Sequence, residues 1–599
     1  MLSYDVYNSF NLLKTECKDT IFYQTCKRLP EISLTLQTIM KKKNIILSIA
    51  VMLSLTVCAQ KKMNINYGET PKREVRAVWL TTVKSLDWPE IKADSPENIK
   101  RQQKELTDIL DKLQKAGVNL VLMQSRVRAS TIYHSDIEPW DQNITGIPGK
   151  YPGYDPLQFA IEQCHARGMQ IHSWIVTLPI GPWNSYAAKQ LQKNHPNILR
   201  KIGTDGYIDP ENPDTAPYIA DICAEIVRKY DVDGIHLDYI RYPDAWKMPA
   251  NRAKCRENIT RIVKAINHAI KKEKPWVMLS CSPVGKHDDL TRFSSRGWNA
   301  RNAVAQDAQQ WLKDGLMDAE FPMIYFKGDN FYPFALDWKE NSNGRIMAPG
   351  LGIYFMHPSE GRWNLIDVQR QMNYLRQIGV GHTYFRSRFF TENTKGLYDF
   401  TINEFDRFLA VVPAMSWLQK TPPTTPTCLS VKNGVDKQVL TWNAARSRSE
   451  SPDVSYNIYA SHEENVDVDD PRNLIAQLVK GTSLIIDTKI PYNYAVCAID
   501  RFGNESEPAM VEGKHKKNMF PHLIENNGKI VRLPSRPNTL DAEYVIFKSL
   551  AGTPIATRIY HGDVIDITTL PCGFYSIHSL GKKGRTHRIG WIKKETKKQ

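Results

Sequence analysis

Between residues 73 and 412 the chain repeats one cycle: a short apolar run, a connection rich in polar and aromatic residues, then a stretch with apolar positions at helical spacing. The apolar runs are REVRAVWLTTV, VNLVLMQSRVR, MQIHSWIV, DGIHLDYI, VMLSCSP, AEFPMIYF, RIMAPGLGIYF and GVGHTYFRSRFF, eight in all. Their length and period-two alternation predict strands, whereas Leu106, Leu110 and Leu113 mark one face of a helix. Ser95 supplies a cap for that helix, Pro96 suits its first turn and Gly117 stops it; Asp155-Pro156 with Gly168 repeats the device. Strands joined by crossover helices run parallel, and eight such units close on themselves. The predicted fold class is therefore α/β, a (β/α)8 TIM barrel with enlarged loops over residues 71–418. A doubly wound open sheet competes, but no Gly-rich phosphate loop follows any strand.

The pattern then changes. TPPTTPT at 421–427 is a linker by composition, and LTW at 440–442, YNIYA at 456–460 and YAVCAIDRFGNES at 494–506 alternate as strands of a small β module over 425–512. Trp442, Tyr456 and Tyr494 are its expected core, and the module resembles fibronectin type III domains. YVIFKSLAGTPIATRI, DVIDITTLPCGFYSIHS and RIGWIKK predict a second β module with a basic tail over 520–599, loosely similar to C-terminal sorting domains. Two small all-β sandwich modules thus follow the barrel.

The longest apolar run, NIILSIAVMLSLTV at 44–57, follows Met40-Lys41-Lys42-Lys43 and precedes Cys58-Ala59-Gln60, the layout of a secretory signal over 40–59. Residues 1–39 then read as an upstream start-site artefact. Two cleavage readings stay open: ordinary cleavage before Gln60, or a lipoprotein box ending at Cys58. Either makes the protein exported, as a periplasmic, cell-surface or outer-membrane lipoprotein species. Of ten cysteines, seven lie beyond that segment, singly scattered, which favours buried thiols over a disulfide framework or a Cys zinc site. The formal charge is +15, and residues 513–599 hold 16 Lys or Arg against 6 Asp or Glu, a surplus of ten. That places the excess on a solvated terminal module or an envelope-facing one, away from any nucleic-acid recognition element.

The chemistry is concentrated in VDGIHLDYIRYP, residues 232–243. Alternation puts Ile235 and Leu237 toward the helices and Gly234, His236 and Asp238 inside, with Asp238 at the C-terminal rim where barrel enzymes work. Gln124 and Arg126, His172 and Trp174, Tyr325, and His382, Tyr384 and Arg386 are expected at the same inner face of their strands. Buried polar groups without partners cost roughly 1–3 kcal/mol each, so a ring of them predicts a polar cleft. The loops add Trp88, Trp140, Tyr151, Trp183, Trp246, Trp298 and Trp363, whose rings suit the C–H faces of sugars. About half of these are expected simply to pack loops down.

REVRAVWLTTVKSLDWP at 73–89, PGYDPLQFAIEQCHARGMQIHSWI at 152–175 and VDGIHLDYIRYP occur in order, and over residues 71 to about 412 the chain resembles the glycosyl hydrolase-like 10 family of bacterial secreted proteins. The resemblance implies a barrel that hydrolyses glycosidic bonds, with some relatives acting on peptidoglycan glycan strands. Many relatives carry two adjacent aspartates where this chain has Asp238 followed by Tyr239, so only the first carries over.

Glycoside hydrolysis needs two carboxyl groups, about 5–5.5 Å apart for retention or about 6.5–9.5 Å for inversion. Asp238 is the first candidate; Asp329 and Asp87 are candidates for the second, with Asp288, Glu360 and Glu392 behind them, while Glu320 begins its strand on the stability face. Arg126, His172, Trp174, His236, Arg241, Tyr325, Trp88 and Tyr384 are expected to bind substrate or tune these acids. No cofactor or metal is required, although His172, His236 and His382 are weighed as a metal cluster. The expected partner is a polysaccharide or peptidoglycan acted on by a monomer whose isolated barrel would still cut, with envelope association through lipidation or the basic module. The rivals are a glycan-binding envelope protein that has lost one carboxylate and a structural envelope protein relying on its β modules.

Overall fold

The computed structural model describes residues 70–599 apart from 435–436, 464, 488–491, 512–523, 525, 527–528, 534–541, 550–551, 560–563, 582–585 and 595–599. The signal-like run at 40–59 and the leader 1–39 lie outside the described residues.

Arg76–Leu80, Leu120–Arg126, Gln170–Val176, Gly234–Asp238, Met278–Cys281 and Ala319–Glu320 form the first six staves of a parallel barrel, each paired with the next. The seventh is split at Ala348-Pro349. Its first part, Ile346–Met347, pairs with the sixth strand, and its second, Gly350–Leu351, with the eighth, His382–Tyr384. Proline has no N–H to donate, so the ladder breaks there. The eighth strand returns to the first, which closes the ring of eight staves.

Alternation along the staves separates two cores. Val78, Leu80, Val121, Met123, Ile171, Ile175, Ile235 and Leu237 face the helices, among them Leu106, Leu110 and Leu113 of Pro96–Lys115. Ala77, Trp79, Leu120, Leu122, Trp174, Met278, Phe321 and Ile346 fill the interior. The helix boundaries follow their local signals: the Ser95 side chain accepts from Asn98 N, and Asp155 does the same for Gln158 N at the head of Pro156–Ala166. The loop after the third strand carries a small antiparallel sheet of Pro179–Pro182, Leu199–Ile202 and Asp205–Ile208.

Beyond the barrel, Thr427–Asn433, Lys437–Asn443 and Ser483–Asp487 make one antiparallel sheet, and Leu474–Val479, Val454–Ser461, Asn493–Asp500 and Ala509–Met510 the other. Trp442, Tyr456 and Tyr494 are buried between them. The tip after Asn493–Asp500 carries Phe502 into the lower end of the barrel interior, against Val412 and Met415. Arg501 beside it donates to Asp231 Oδ1 at 2.6 Å and reaches Asp233 Oδ1 at 3.2 Å. The last described strands form a four-stranded sheet, with Ala542–Lys548 and Gly573–Gly581 central, and a two-stranded one.

Of the seven cysteines described, Cys164, Cys223, Cys255, Cys281 and Cys497 are buried free thiols, and Cys428 and Cys572 are exposed ones. No described helix is long and apolar enough to cross a membrane.

Candidate active site

The fourth strand delivers Asp238 to the C-terminal mouth. The next residue, Tyr239, turns sharply out of the strand with φ +54°, so its N–H folds back to Asp238 Oδ1 at 2.8 Å. Ser282, at the end of the fifth strand, donates to the same oxygen at 3.2 Å, and the indole N–H of Trp174 to Oδ2 at 3.3 Å. Burial pushes the Asp238 carboxyl above the ordinary range, with the Arg241 charge and these three donors pulling the other way. The group is thus inclined to keep a proton at the mouth of the barrel.

Directly below lies a dry polar column. Trp79 Nε1 donates to His236 Nε2 at 3.1 Å, which leaves Nδ1 of His236 as the protonated nitrogen, 3.0 Å from Ser280 Oγ. Ser280 in turn is 3.4 Å from His172 Nδ1. Burial and the neighbouring His172 hold His236 well below the usual imidazole range, and burial brings His172 down to about 4, so both are neutral at pH 7. Gly234 makes room for this pair: a Cβ there would lie 2.5 Å from the His172 ring.

Two groups beside Asp238 have unmet donors. Arg241 lies with its guanidinium 4.2 Å from the Tyr239 ring, and its Nε and Nη1 are buried without hydrogen-bond partners, the nearest acid being Asp244 at 3.9 Å. The Tyr325 hydroxyl is likewise unpartnered, its ring stacked on Phe385 at 5.2 Å and edge-on to Trp79 at 6.4 Å. Burial pushes this phenol well up, and the Asp238 charge adds to the effect, which ties the two groups together.

The remaining expectations are redistributed. Arg126 is buried and clamped by Glu138 at 2.6 and 2.7 Å, with further bonds to the carbonyls of Val176 and Thr177, so it holds a loop and has no donor to offer a sugar. Gln124 Oε1 accepts from Thr82 N and Val83 N at 3.0 and 2.8 Å and so ties the first strand to the second. Asp87 is saturated: Thr81 donates to Oδ2 through its N–H and hydroxyl, and Arg386 and Arg388 N to Oδ1 at 2.6 and 2.9 Å. Trp88 is core, its indole donating to Gln102 O at 3.0 Å under the first helix. Tyr384 and His382 face outward into the helix layer, Tyr384 stacked on Phe390 at 4.3 Å and His382 3.4 Å from Asp406. The eighth strand turns Thr383 toward the seventh and Phe385 inward instead. His172 lies at the floor of the column, beneath the reach of a substrate at Asp238, and His382 is on the other side of the wall, so the three histidines form no cluster.

Asp329 is exposed in the turn Gly328–Asn330 after the sixth strand. Asp288 is engaged by Arg301 at 3.0 Å and Asn302 at 2.8 Å, and Glu392 by Arg388 at 2.8 Å; Glu360 is exposed on its loop. Glu320 is fully buried facing the helix layer beside Cys281 Sγ at 3.8 Å. Trp79, Ser280 and Ser282 complete the site and were not anticipated; the alternate serines of VMLSCSP were the available signal.

A closed (β/α)8 barrel with a buried carboxyl of raised pKa and unmet donors at its C-terminal mouth fits a glycoside hydrolase. Residues 74–248 and 244–349 match the model of the Glycosyl hydrolase-like 10 family. The chain is 28% identical to Glycosyl hydrolase YngK of Bacillus subtilis (strain 168) over 485 residues, covering 73% of this chain and 92% of that protein. It is 33% identical to Glycosyl hydrolase DigH of Escherichia coli (strain K12) over 291 residues, covering 42% of this chain and 65% of DigH. The PgaB (BpsB) glycoside hydrolase domain from Bordetella bronchiseptica aligns with TM-score 0.38 and 14% identity, over 55% of this chain and 98% of that one, a likeness too distant to transfer any residue role.

Proposed function

We propose that this glycoside hydrolase is an exported, endo-acting enzyme that cleaves a polysaccharide, with peptidoglycan glycan strands as its substrate. The observation that carries the reading is Asp238: a buried carboxyl with a raised pKa, at the mouth of the barrel, beside the unmet donors of Arg241 and Tyr325. A group in that state supplies the proton to the leaving glycosidic oxygen, while Arg241 and Tyr325 take up hydroxyl or ring substituents of the sugars. Asp329, exposed on the loop after the sixth strand, is the proposed second carboxyl group. The three-plus-four sandwich, with Trp442, Tyr456 and Tyr494 between its sheets, is read as a fibronectin type III-like module. Export rests on the signal-like run at 40–59.

The test is release of new reducing ends from purified peptidoglycan, with and without its stem peptides, by wild type, Asp238→Asn and Asp329→Asn. Loss of cleavage in the first variant with an intact fold is expected; undiminished cleavage there overturns the assignment. Undiminished cleavage by Asp329→Asn removes Asp329 alone. Tyr239 at the position of a second aspartate favours one other reading, a glycan-binding protein without catalysis. Such a protein retains the polymer and releases no ends.

A further inference from the structure

Among the loop aromatics, Trp88, Trp246 and Trp363 are buried and Phe331 is at 0% exposure, whereas Trp298 is 50% exposed. Two tyrosines on the loops after the second and third strands are exposed as well. Tyr186 is 45% exposed and Tyr151 is 56% exposed, and both are fixed from behind. Tyr186 opens the helix Tyr186–Asn194, whose cap Ser185 accepts from Ala188 N, and its ring lies on the backbone of Gly149. A Cβ at Gly149 would come 2.8 Å from that ring, and φ +73° there also demands glycine, so the sequence reserves this spot for the tyrosine. Tyr151, two residues on, leans against Trp140 at 5.4 Å, and Gly149 N donates to Trp140 O at 3.0 Å. The loop below is pinned by Asp141, which caps Gln142–Thr145 and accepts from Ser130 Oγ at 2.5 Å.

The loop that carries Tyr186 leaves the barrel beside the acid: Val176, at the end of the third strand, pairs with Asp238, and Thr177 N donates to Asp238 O at 2.9 Å. Arg128, exposed and held at φ +58°, runs along Gly181 of the inserted sheet, 3.4 Å from where a Cβ would stand. Its charge is felt by Tyr239, the residue after Asp238, and by Tyr207 of the same sheet. Gly181, against which Arg128 packs, lies between Thr177 and Tyr186 on this loop.

We propose that Tyr186 and Tyr151 form a distal sugar subsite, where a pyranose ring of the same glycan chain stacks while another part of the chain lies at Asp238. The proposal rests on the glycosidase reading and adds to it that the enzyme grips long chains. Rigid tyrosine faces, one side on protein and the other in water, match the apolar C–H faces of a pyranose, and Arg128 between them and the acid offers donors to ring hydroxyls.

The experiment uses the full chain and glycan strands from peptidoglycan stripped of stem peptides. The Tyr151→Ala/Tyr186→Ala double variant is expected to raise KM on long strands about tenfold and leave hydrolysis of short chromogenic glycosides unchanged. The matching Tyr→Phe double variant keeps the stacking face and wild-type KM. Strand retention in affinity gels is measured in an Asp238→Asn background, so that binding is read without turnover. Loss of retention with the alanine pair supports the subsite even if wild type releases no ends, an outcome that removes the hydrolase reading alone. Unchanged KM and retention, no retention by any form, or a dimer in light scattering that the alanine pair dissolves, overturns it.

Discussion

Asp238 costs the fold stability in order to be useful. Burial raises its pKa, so the ionised form is disfavoured in the native state, and the wild type loses stability as pH rises from the unfolded-state range up to that raised value. Asparagine carries no such charge. Asp238→Asn is therefore expected to lower cleavage about 10²–10⁴-fold while being more stable than wild type at pH 7.5, an advantage that shrinks toward acid pH in thermal melts. A variant less stable than wild type at pH 7.5 contradicts the assignment of the raised pKa. The histidines beneath act in the other direction. His172, lowered from 6.5 to about 4, is neutral when folded and protonated when unfolded over that window. Its contribution is complete above pH 6.5 and is lost as pH falls toward 4, roughly 3 kcal/mol across the window. In the Asp238→Asn background, where the aspartate no longer offsets it, melting midpoints should fall steadily from pH 6.5 downward. His236, Asp238 and Trp174 were legible in the sequence because strict alternation in DGIHLDYI and MQIHSWIV leaves them one face. The partners that hold Asp87 and Arg126 were not legible there, because Arg386 and Glu138 are 299 and 12 residues away.

The eighth strand shows how alternation fails at the scale of an element. Reading inward from His382, Tyr384 and Arg386 favoured polar side chains as site residues, yet a one-residue shift turns every side chain to the other face. What decides the register is a network behind the strand: Asp406 lies 3.4 Å from His382 and accepts from Arg376 at 2.6 Å, and Arg376 also grips Glu74 at 2.6 Å. Arg376 lies on the helix just before the strand, but Asp406 and Glu74 are distant from it in sequence. The loop after the second strand follows the same logic, since its path to the exposed tyrosines is held by the buried Arg126–Glu138 clamp and by Tyr218, which donates to Glu138 at 2.7 Å. Glu138→Ala strands a buried guanidinium and is expected to cost about 3–5 kcal/mol in urea denaturation. The Arg126→Met/Glu138→Leu pair removes both charges and should recover most of that loss; a double variant as unstable as the single would mean that the clamp is not a charge pair at all.

Across the whole molecule, the barrel does not end where its last helix ends. Phe502, from the sandwich that follows, is 4% exposed inside the lower barrel core with Val412 and Met415, and Met415 N donates to Phe502 O at 2.7 Å. Arg501 holds Asp231 and Asp233 at the root of the strand that ends in Asp238, and Asp233 Oδ2 is shared with His165 and Ile171 N at 2.9 Å. The Arg501 and His165 charges keep the Asp233 carboxylate ionised despite burial. From the sequence the linker TPPTTPT marked a boundary, and an isolated barrel was expected to go on cutting; the linker is a boundary of composition only, because the chain returns from the sandwich to stop the barrel floor. A barrel ending near residue 425 exposes Val412, Met415 and the interior ring above them, and leaves Asp231 and Asp233 without the Arg501 charge. It should therefore be insoluble or unfolded, whereas a chain ending near residue 512 keeps the floor and should melt and cleave like the full chain. Phe502→Ala in the full chain is expected to cost about 3–5 kcal/mol and to lower a single melting transition that both domains share. Two separate transitions, with the barrel's unmoved by Phe502→Ala, would show the sandwich to be an appendage after all.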